Sequence, residues 1–413
     1  MTPTPAQSGH PAAPAAIPAV AQDPRAADFV QAPWPFYDRA RAMGPLVIWR
    51  DYGLACAFSH ALVGALLRDR RLGREPPGGH PAPPAHLAAF HAVESRSMLE
   101  REPPVHSRLR GLVNRAFTSR RIQGMAEPIA DLSRRLIEDF SGDSVDLLPA
   151  WAERIPVIVI CRLMGVPEEM ADQLLAWSHD MVAMYQARRD RAVEDRAEAA
   201  AAAFSDWARR YVDARRSRPA EDLVSALIAA ESDGERLPTE ELIATLILLL
   251  NAGHEATVNA LGNGVKTLLE WGAATGRPPA QLLTPARRAA TVEEILRFEP
   301  PLHLFTRFVR EEVEIAGRRF APGDRIGLLL GAAGRDPAAY PDPHRFDPDR
   351  TGPGHHAFGA GIHFCVGAPL ARLEMQIALA DLFTRLPGLR MAEPPRWADR
   401  YHFRALAALR VTA

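Results

Sequence analysis

Apolar residues recur at spacings of three and four along much of the chain, which is typical of helices with one buried face. Residues 194–216 are one example, because they are rich in Ala, Arg and Glu, which are strong helix formers. Strand-like segments are few, and the clearest are residues 46–49, 313–315, 325–330 and 406–411. The pattern therefore predicts a mainly α fold with a small β region.

The longest predicted helix begins near Pro238 and Thr239 and continues to about Trp271. Two glutamates directly after its start suit the positive end of the helix dipole. A helix of this length exceeds the usual globular range, so we expect it to cross the whole molecule. Gly253 lies in its interior, where glycine costs about 1 kcal/mol relative to alanine. We therefore expect something to approach the backbone closely at that position.

Two proline-rich segments, residues 76–84 and 334–350, are predicted to be loops because proline lacks a backbone donor and stops helices. The first 24 residues are rich in Ala and Pro and contain no aromatic residue. Such a segment has little apolar area to offset the entropy of ordering. We predict a flexible segment over residues 1–30, ordered structure from near Ala32 to Tyr37, and a single domain over residues 31–413.

Composition and charge favour a small-molecule ligand. With 413 residues, 47% of them hydrophobic, the chain can bury a large core. Lys and Arg number 49 against 50 Asp and Glu, which gives a formal net charge of -1. This balance provides no overall field to attract nucleic acid or an anionic membrane surface.

Cysteine usage and the N-terminus indicate a cytoplasmic protein. The three cysteines, Cys56, Cys161 and Cys365, are too few and too far apart for a disulfide framework or paired metal ligands. The N-terminus lacks the basic start and apolar run of a signal peptide, and no uninterrupted apolar stretch approaches the length of a membrane span. We therefore expect a reducing compartment and no membrane association.

The strongest chemical motif is FGAGIHFCVGAPLAR at residues 358–372, in which Cys365 stands between glycines just before a helix predicted from Ala368. Backbone amides in such a loop can donate to the sulfur, which lowers the thiol pKa and favours the thiolate. A thiolate is what an axial iron ligand requires. A small buried cysteine is the simpler alternative. Four further residues occupy the positions that the motif requires, which favours the iron-ligand interpretation over a packing cysteine: Phe358, Gly361, His363 and Gly367.

With this loop the chain resembles the cytochrome P450 family, and it is most similar to the soluble bacterial members. Several separate motifs appear in the family's order from about Trp34 to the C-terminus. The resemblance implies the cytochrome P450 fold, with haem b buried between the long central helix and the cysteine loop. It also implies that Cys365 ligates the iron and that Phe358 and Gly367 help to bind the cofactor.

A second motif contains His106 and Arg110, whose i, i+4 spacing puts them on one helix face. In the family this face meets the haem propionates, where a planar guanidinium can bind a carboxylate with two hydrogen bonds. The resemblance implies that Arg307 and His363 complete the neutralisation of the two carboxylates. Taken alone, the pair would be a solvated helix face and Arg307 a surface arginine.

A third motif, Glu294 and Arg297 at i, i+3, resembles the family's buried Glu-x-x-Arg pair. Buried charges are tolerated only when each is paired and hydrogen-bonded, so the implied role is structural, beneath the haem. Arg345 and Phe346, in the loop ahead of the cysteine motif, are expected to pack against this pair. An exposed ion pair of little energetic value is the alternative.

The long helix carries the main departure from the family. There the usual pattern is Ala-Gly-x-Asp/Glu-Thr over the distal face of the haem. Ala252, Gly253 and Glu255 match, but the alcohol position is Ala256. Thr257 does not substitute, because one further residue turns the side chain by about 100°. We hypothesise that substrate or water assists Glu255 in proton delivery; alternatively, Ala256 marks a poorly coupled or chemically altered member.

By resemblance, seven residues contact the substrate. Three lie on the long helix and four on later segments, and ordinary core packing is the alternative for each: Leu248, Asn251, Ala252, Leu302, Phe305, His402 and Phe403. Residues 73–100 and 171–216 are expected to form a variable lid.

The chain ends soon after the last haem motif, so electrons are expected from NAD(P)H through a separate ferredoxin or flavodoxin and its reductase. A basic run on the implied proximal side could steer such an acidic partner: Arg108, Arg110, Arg115, Arg120 and Arg121. A solvated helix end would explain most of these arginines equally well.

The favoured function is a monooxygenase that uses dioxygen to hydroxylate or epoxidise a small, mostly hydrophobic molecule. The first alternative is an enzyme of the same family with atypical chemistry, either oxidative coupling or peroxide-driven oxidation. The second is a haem protein that binds a ligand without turnover.

Overall fold

Helices dominate the computed structural model, which describes residues 16–186, 189–232 and 235–412. In chain order they are α1 (Ala27–Gln31), α2 (Trp34–Met43), α3 (His60–Leu66), α4 (Ala88–Glu94), α5 (Val105–Ala116), α6 (Ser119–Gln123), α7 (Ala126–Glu138), α8 (Arg154–Met164), α9 (Ala171–Val182), α10 (Arg191–Ser217), α11 (Leu223–Ala229), α12 (Thr239–Thr275), α13 (Arg288–Phe298), α14 (Leu330–Gly334) and α15 (Ala368–Arg385). The mainly α fold class predicted from the sequence is confirmed.

The strands are short. They are β1 (Ala19–Val20), β2 (Leu46–Trp49), β3 (Leu54–Ala57), β4 (Leu72–Gly73), β5 (Val145–Asp146), β6 (Glu231–Ser232), β7 (Glu235–Arg236), β8 (Leu304–Val309), β9 (Val313–Ile315), β10 (Arg318–Phe320), β11 (Arg325–Leu329), β12 (Arg390–Met391) and β13 (Arg410–Thr412). The largest sheet has the order β1-β2-β3-β11-β8-β4. In its centre β11 pairs parallel with β3 and antiparallel with β8, and Ile326 lies opposite Arg307.

Three of the four predicted strands are present with nearly the predicted bounds. The fourth, residues 406–411, is too long, because only Arg410–Thr412 is a strand. Sequence reasoning did not single out β3 or β8. Both proline-rich segments lie outside helices and strands, apart from Gly334 at the end of α14.

The long helix α12 packs against α8, α10, α13 and α15 and forms much of the core. It ends at Thr275 and is followed by Gly276, whose φ of 67° is in the left-handed region that glycine tolerates best. By length and composition α12 could cross a membrane, which the sequence reading had not expected, but 67% of its most apolar window is buried inside the protein. A Cβ at Gly253 would lie 3.0 Å from Cγ1 of Ile160. The close approach predicted at Gly253 is therefore that of a neighbouring helix, α8.

The flexible segment predicted over residues 1–30 is too long. Strand β1 pairs parallel with β2, and Trp49 Nε1 donates a hydrogen bond of 2.7 Å to the carbonyl oxygen of Gln22. Phe29 is buried, with its ring centroid 4.9 Å from that of Tyr401. Residues 1–15 lie outside the described residues. The prediction failed because β1 is held by backbone hydrogen bonds, which do not depend on the composition of the segment.

Candidate functional site

The loop that carries Cys365 is folded by glycines and one backbone hydrogen bond. The Cys365 amide donates to the carbonyl oxygen of Phe358 at 3.0 Å. Gly361 has a φ of 72°, and a Cβ there would lie 2.5 Å from the carbonyl oxygen of Leu67, so only glycine fits. Helix α15 begins at Ala368, as predicted. The loop leaves Cys365 exposed, whereas Cys56 and Cys161 are buried.

The Cys365 thiol is both exposed and desolvated. Burial raises its pKa, and this effect exceeds the opposing contributions of the Gly367 and Ala368 amides and of Arg110. The amide donors predicted from the sequence are therefore present, but the prediction of a lowered pKa is wrong. The Cys365 side chain is therefore accessible at the surface and yet has protein atoms around most of its sulfur. Such a thiol is expected to lose its proton when a metal cation binds the sulfur.

Beside this loop lies a cluster of histidine and glutamate side chains. His363 Nε2 lies 2.8 Å from Glu102 Oε1, and the His363 and His106 ring centroids are 4.4 Å apart. His106 is buried, and its Nδ1 has no hydrogen-bond partner. Burial, aided by His363, lowers the pKa of His106 to about 4, so its ring is neutral at physiological pH.

Two arginines near this cluster lack an anionic partner. Arg307 of β8 is buried, and its guanidinium donates a hydrogen bond of 2.9 Å to the carbonyl oxygen of Thr306. Burial lowers the pKa of Arg307 to about 9, and Arg74 adds repulsion. Arg110 is half-buried, and its pKa is also lowered by burial. Neither guanidinium forms an ion pair with any residue in the described ranges. Because buried cations require anions, this cluster is suited to an anionic ligand.

The Glu294 and Arg297 pair is buried, as predicted. Arg297 Nε and one terminal nitrogen lie 2.6 and 2.7 Å from the two Glu294 oxygens. Its remaining donors reach the carbonyl oxygens of Gly334, Pro343 and Arg345 at 2.7, 2.9 and 3.2 Å. The pair thus fixes α13 to the proline-rich loop before the cysteine motif.

The expected packing of Arg345 on this pair is wrong for its side chain. That side chain is 69% exposed, and only its carbonyl oxygen takes part. Arg350, whose side chain is 9% exposed, contacts Glu294 instead, with Nε 3.3 Å from Oε1. Phe346 stacks edge-on against Phe298, the neighbour of Arg297, with centroids 5.7 Å apart. The loop's path, which the sequence pattern does not specify, decides which arginine turns inward.

Glu255 on α12 is buried and has two cationic neighbours that sequence reasoning missed. His179 Nε2 of α9 lies 3.3 Å from its Oε2, and Arg400 lies 3.9 Å from its Oε1. Burial alone would raise the pKa of Glu255, but His179, His254 and Arg400 lower it overall. Glu255 is therefore a carboxylate at neutral pH. Nothing in the spacing of His179 or Arg400 in the sequence indicates this contact.

The small residues around Glu255 on α12 differ in exposure. Ala252 is exposed and Ala256 half-buried, and their i, i+4 spacing places them on the same face of α12. Thr257 is buried. That Thr257 does not take the place of the alcohol missing at Ala256 stays a prediction.

The predicted substrate contacts have mixed surroundings. Leu302 and Phe403 are paired in an isolated β-bridge. His402 precedes Phe403 in a turn, and its buried Nδ1 has no hydrogen-bond partner among the described residues. The Arg307 guanidinium lies over the Phe305 ring, with its central carbon 5.7 Å from the ring centroid.

On α12, Leu248 packs partly against the main hydrophobic core, as the packing alternative requires. Asn251 Nδ2 lies 3.6 Å from Met181 Sδ, and its Oδ1 is buried without a hydrogen-bond partner. Asn251 thus contacts α9, the helix that also carries His179.

Four polar residues of the predicted lid segments were not singled out. Arg74 forms an ion pair with Glu100, and the Tyr185 hydroxyl donates to Glu94. Burial, followed by repulsion from Glu100, raises the pKa of Glu94 to about 7. Arg74 also acts electrostatically on Arg307 and His402, which places this group at the edge of the same region. The sequence gave no signal that these ionisable residues would lie together.

The basic run predicted as one patch is divided. Arg108 forms an ion pair with Glu241 of α12 at 2.7 Å, and Arg121 donates to the carbonyl oxygen of Ala116. Arg115 and Arg120 are exposed. Only part of the run therefore faces solvent freely.

Known proteins match this chain over most of its length. The family model described as Cytochrome P450 matches residues 289–387. The cytochrome P450 monooxygenase PikC of Streptomyces venezuelae is 36% identical over 92% of this chain and 91% of its own length. The vitamin D(3) 25-hydroxylase of Pseudonocardia autotrophica is 37% identical over 88% of this chain and 89% of its own length. The solved structure of P450BioI in complex with acyl carrier protein ligated to hexadec-9Z-enoic acid superposes with a TM-score of 0.87. It is 32% identical and covers 93% of this chain and 99% of that one.

Proposed function

Because this chain belongs to the cytochrome P450 family, we propose that it hydroxylates or epoxidises a small, mostly hydrophobic molecule with dioxygen. The family membership makes it a haem b protein and a monooxygenase, an oxidoreductase that incorporates oxygen. Electrons come from NAD(P)H through a separate ferredoxin or flavodoxin and its reductase. The observation that carries the proposal is the exposed but desolvated Cys365 sulfur beside buried cations that lack anions.

These residues fit a haem. Cys365 supplies an accessible thiol, and Arg307 and Arg110 supply two positive charges that form no ion pair with the described residues. His106 Nδ1 is a buried polar atom without a hydrogen bond. A group with two carboxylates and a thiophilic metal satisfies all four residues at once. When bound, the haem supplies the activation of dioxygen at its iron.

In this proposal the chain holds the cofactor from several elements. Cys365 ligates the iron, while His106, Arg110, Arg307 and His363 bind the propionates. Phe358 and Gly367 shape the loop: the Phe358 carbonyl oxygen accepts from the Cys365 amide, and Gly367 offers its own amide to the sulfur.

The Phe358 ring packs against an arginine of α15. The Arg372 guanidinium lies 4.5 Å from the ring centroid and binds Glu293 with hydrogen bonds of 2.6 and 2.9 Å. This links the cysteine loop and α15 to α13. The loop position therefore depends on the same helix that carries Glu294 and Arg297.

Glu255, a carboxylate at neutral pH, is proposed to relay protons from solvent toward the substrate site. Its Oε2 lies 3.3 Å from His179 Nε2, and the His179 side chain is 40% exposed. A proton from solvent can therefore pass from the imidazole to the buried carboxylate. Ala256 offers no hydroxyl beyond Glu255, so the last transfer depends on water or on a hydroxyl of the substrate.

This proposal predicts the result of restoring the alcohol. Ala256→Thr is expected to leave the product formed per NADH nearly unchanged, because substrate or water already supplies the missing group. If the unchanged protein lacked a proton donor, the restored hydroxyl would instead raise the rate of product formation on the order of 10²-fold. Product and NADH are measured under matched conditions, and Thr257→Val on the buried face is the control. A large rise in coupling for Ala256→Thr alone contradicts substrate or water assistance.

The substrate is proposed to be mostly apolar with at least one polar group. Named relatives include a vitamin D(3) 25-hydroxylase and a structure with a fatty acyl chain on its carrier protein, and both of these compounds have large apolar parts. Arg74, Glu94 and Tyr185 at the edge of the site are polar groups with which a polar substituent of the substrate can form hydrogen bonds.

The redox partner is proposed to dock near Cys365. Ile362 and Phe364, its neighbours in the loop, are large hydrophobic side chains exposed at the surface. Exposed Arg115 and Arg120 add positive charge that suits an acidic ferredoxin or flavodoxin. A cytoplasmic location, predicted from the cysteine usage, is part of this proposal.

The proposal is tested with haem-loaded enzyme, a surrogate ferredoxin, its reductase, NADH and isotopically labelled dioxygen. Compounds are first screened for the spin-state change that accompanies loss of water from the iron. The expected result is NADH-dependent product that carries the label. Product formed with hydrogen peroxide alone, and none with dioxygen and NADH, would instead show peroxide-driven chemistry. No turnover in either assay would show a haem protein that only binds its ligand.

A further inference from the structure

Three side chains with metal-binding atoms converge where α9 meets α12. A ring nitrogen of His179, a ring nitrogen of His254 and a carboxylate oxygen of Glu255 all lie within 4.8 Å of one another. We propose that these residues form a binding site for a divalent transition metal ion such as Zn²⁺, separate from the haem iron. The haem function requires no such ion, so the inference goes beyond the proposed activity.

His254 is already arranged as a ligand. Its Nδ1 lies 2.9 Å from the carbonyl oxygen of Leu250, one helical turn earlier. Because a carbonyl oxygen can only accept, Nδ1 carries the ring proton and Nε2 keeps its lone pair. Imidazoles that ligate metals usually donate their second ring nitrogen to such an oxygen, which fixes the tautomer and the ring orientation.

The free nitrogen of His254 has no other partner. His254 is buried, and its Nε2 forms no hydrogen bond. An unpaired buried acceptor destabilises the fold unless something binds it. Burial also lowers the pKa of His254, so the imidazole is neutral, as metal binding requires. A cation at this point would satisfy the one polar atom of His254 that the protein leaves unbound.

The other two ligands are nearly in place. His179 Nε2 and Glu255 Oε2 are 3.3 Å apart. Two ligands of a tetrahedral zinc, each about 2.0–2.1 Å from the metal, are themselves separated by about 3.4 Å. Two imidazoles and one carboxylate favour zinc over magnesium or calcium, which prefer oxygen ligands alone. The fourth position is left to water.

The local charge is compatible with a dication. Arg400 lies 3.9 Å from Glu255, but its side chain is 47% exposed and can turn toward solvent. Glu153 is close enough to act electrostatically on His179 and Glu255, and it adds a second carboxylate to the surroundings. The bound ion would tie α9 to α12 and would hold the Glu255 carboxylate. Only this last consequence rests on the proposed proton role of Glu255.

The test is a calorimetric titration of zinc chloride into haem-loaded enzyme after removal of metals with a chelator. His179→Ala removes a half-exposed ligand, and Glu255→Gln removes the anionic ligand with little change in size. His344→Ala is the matched control. The His344 side chain is 46% exposed, and its Nε2 lies 3.1 Å from Asp38 Oδ2. Among the described residues it does not belong to a cluster of three metal-binding side chains. The resting enzyme is used without reductant, so the result does not depend on turnover.

The expected result is one zinc ion per chain in the unchanged protein and in His344→Ala. In His179→Ala and Glu255→Gln the affinity is expected to fall on the order of 100-fold. X-ray absorption at the zinc edge should show two imidazole nitrogens at the metal. Absence of zinc binding, or equal affinity in His179→Ala and the unchanged protein, overturns the proposal. Because turnover is measured separately, either outcome leaves the monooxygenase proposal to its own test.

Discussion

Cys365→Ser is expected to abolish the thiolate-type spectrum of the reduced carbonyl complex and to lower product formation by more than about 100-fold. Cys365 is the exposed cysteine, and its thiol is close enough to Arg110, which forms no ion pair with the described residues, to act electrostatically on it. An alcohol oxygen is a harder ligand than a thiolate and donates less electron density to the iron. The spectrum is recorded on purified enzyme with matched haem content.

Cys161→Ala is the control for this experiment. Cys161 is buried in α8, and burial raises the pKa of its thiol to about 12, so it is an unreactive packing residue. We expect Cys161→Ala to keep the thiolate-type spectrum even if its stability falls. If Cys365→Ser kept the spectrum of the unchanged protein, the assignment of the iron ligand would be wrong.

Glu294→Gln should destabilise the protein by about 3–5 kcal/mol, because it leaves the Arg297 charge buried without its counter-ion. Both side chains are almost fully buried, and the pair accounts for two of the hydrogen bonds of the guanidinium. The Arg350 side chain would also lose its contact with Glu294. The free energy of unfolding is measured by urea titration of the haem-loaded enzyme.

The neighbouring residue supplies a matched control. Glu293 also pairs with an arginine, Arg372, but its side chain is 43% exposed. Although burial opposes it, hydrogen bonding to Arg372 and His355 lowers the pKa of Glu293 to about 2. The lowered pKa stabilises the folded protein at pH values above the pKa that the Glu293 carboxyl has in the unfolded chain. This stabilisation is lost as the pH falls toward about 2. After allowance for solvent screening, Glu293→Gln is expected to cost about 1 kcal/mol or less at neutral pH. Equal losses for the two variants would contradict a structural role specific to the buried pair.

Features set by short-range geometry could be predicted from the sequence. The i, i+3 spacing of Glu294 and Arg297 fixed their pairing, and the turn of about 100° per residue separated Ala256 from Thr257. The start of α12 after Pro238 and the start of α15 at Ala368 follow from local helix signals. Each of these depends on residues within about one turn of each other, so no tertiary contact was needed to infer them.

The chemical motif around Cys365 was also legible in the sequence, but its electrostatics were not. Amide donors in the loop could be inferred from its glycines and the helix that follows. The direction of the thiol pKa shift could not, because desolvation by distant parts of the chain outweighs those donors.

Contacts between distant segments were decided by the tertiary structure alone. Packing of α9 on α12 brings His179 to Glu255, although 76 positions separate them along the printed sequence. Arg350 rather than Arg345 turns toward Glu294, and Ile160 is what approaches Gly253. Sequence periodicity records which face of an element is buried, but it does not record which other element covers that face. The cysteine motif and the departure at Ala256 were therefore determined by the sequence, whereas the neighbours of Glu255, Glu294 and Gly253 were determined only by the fold.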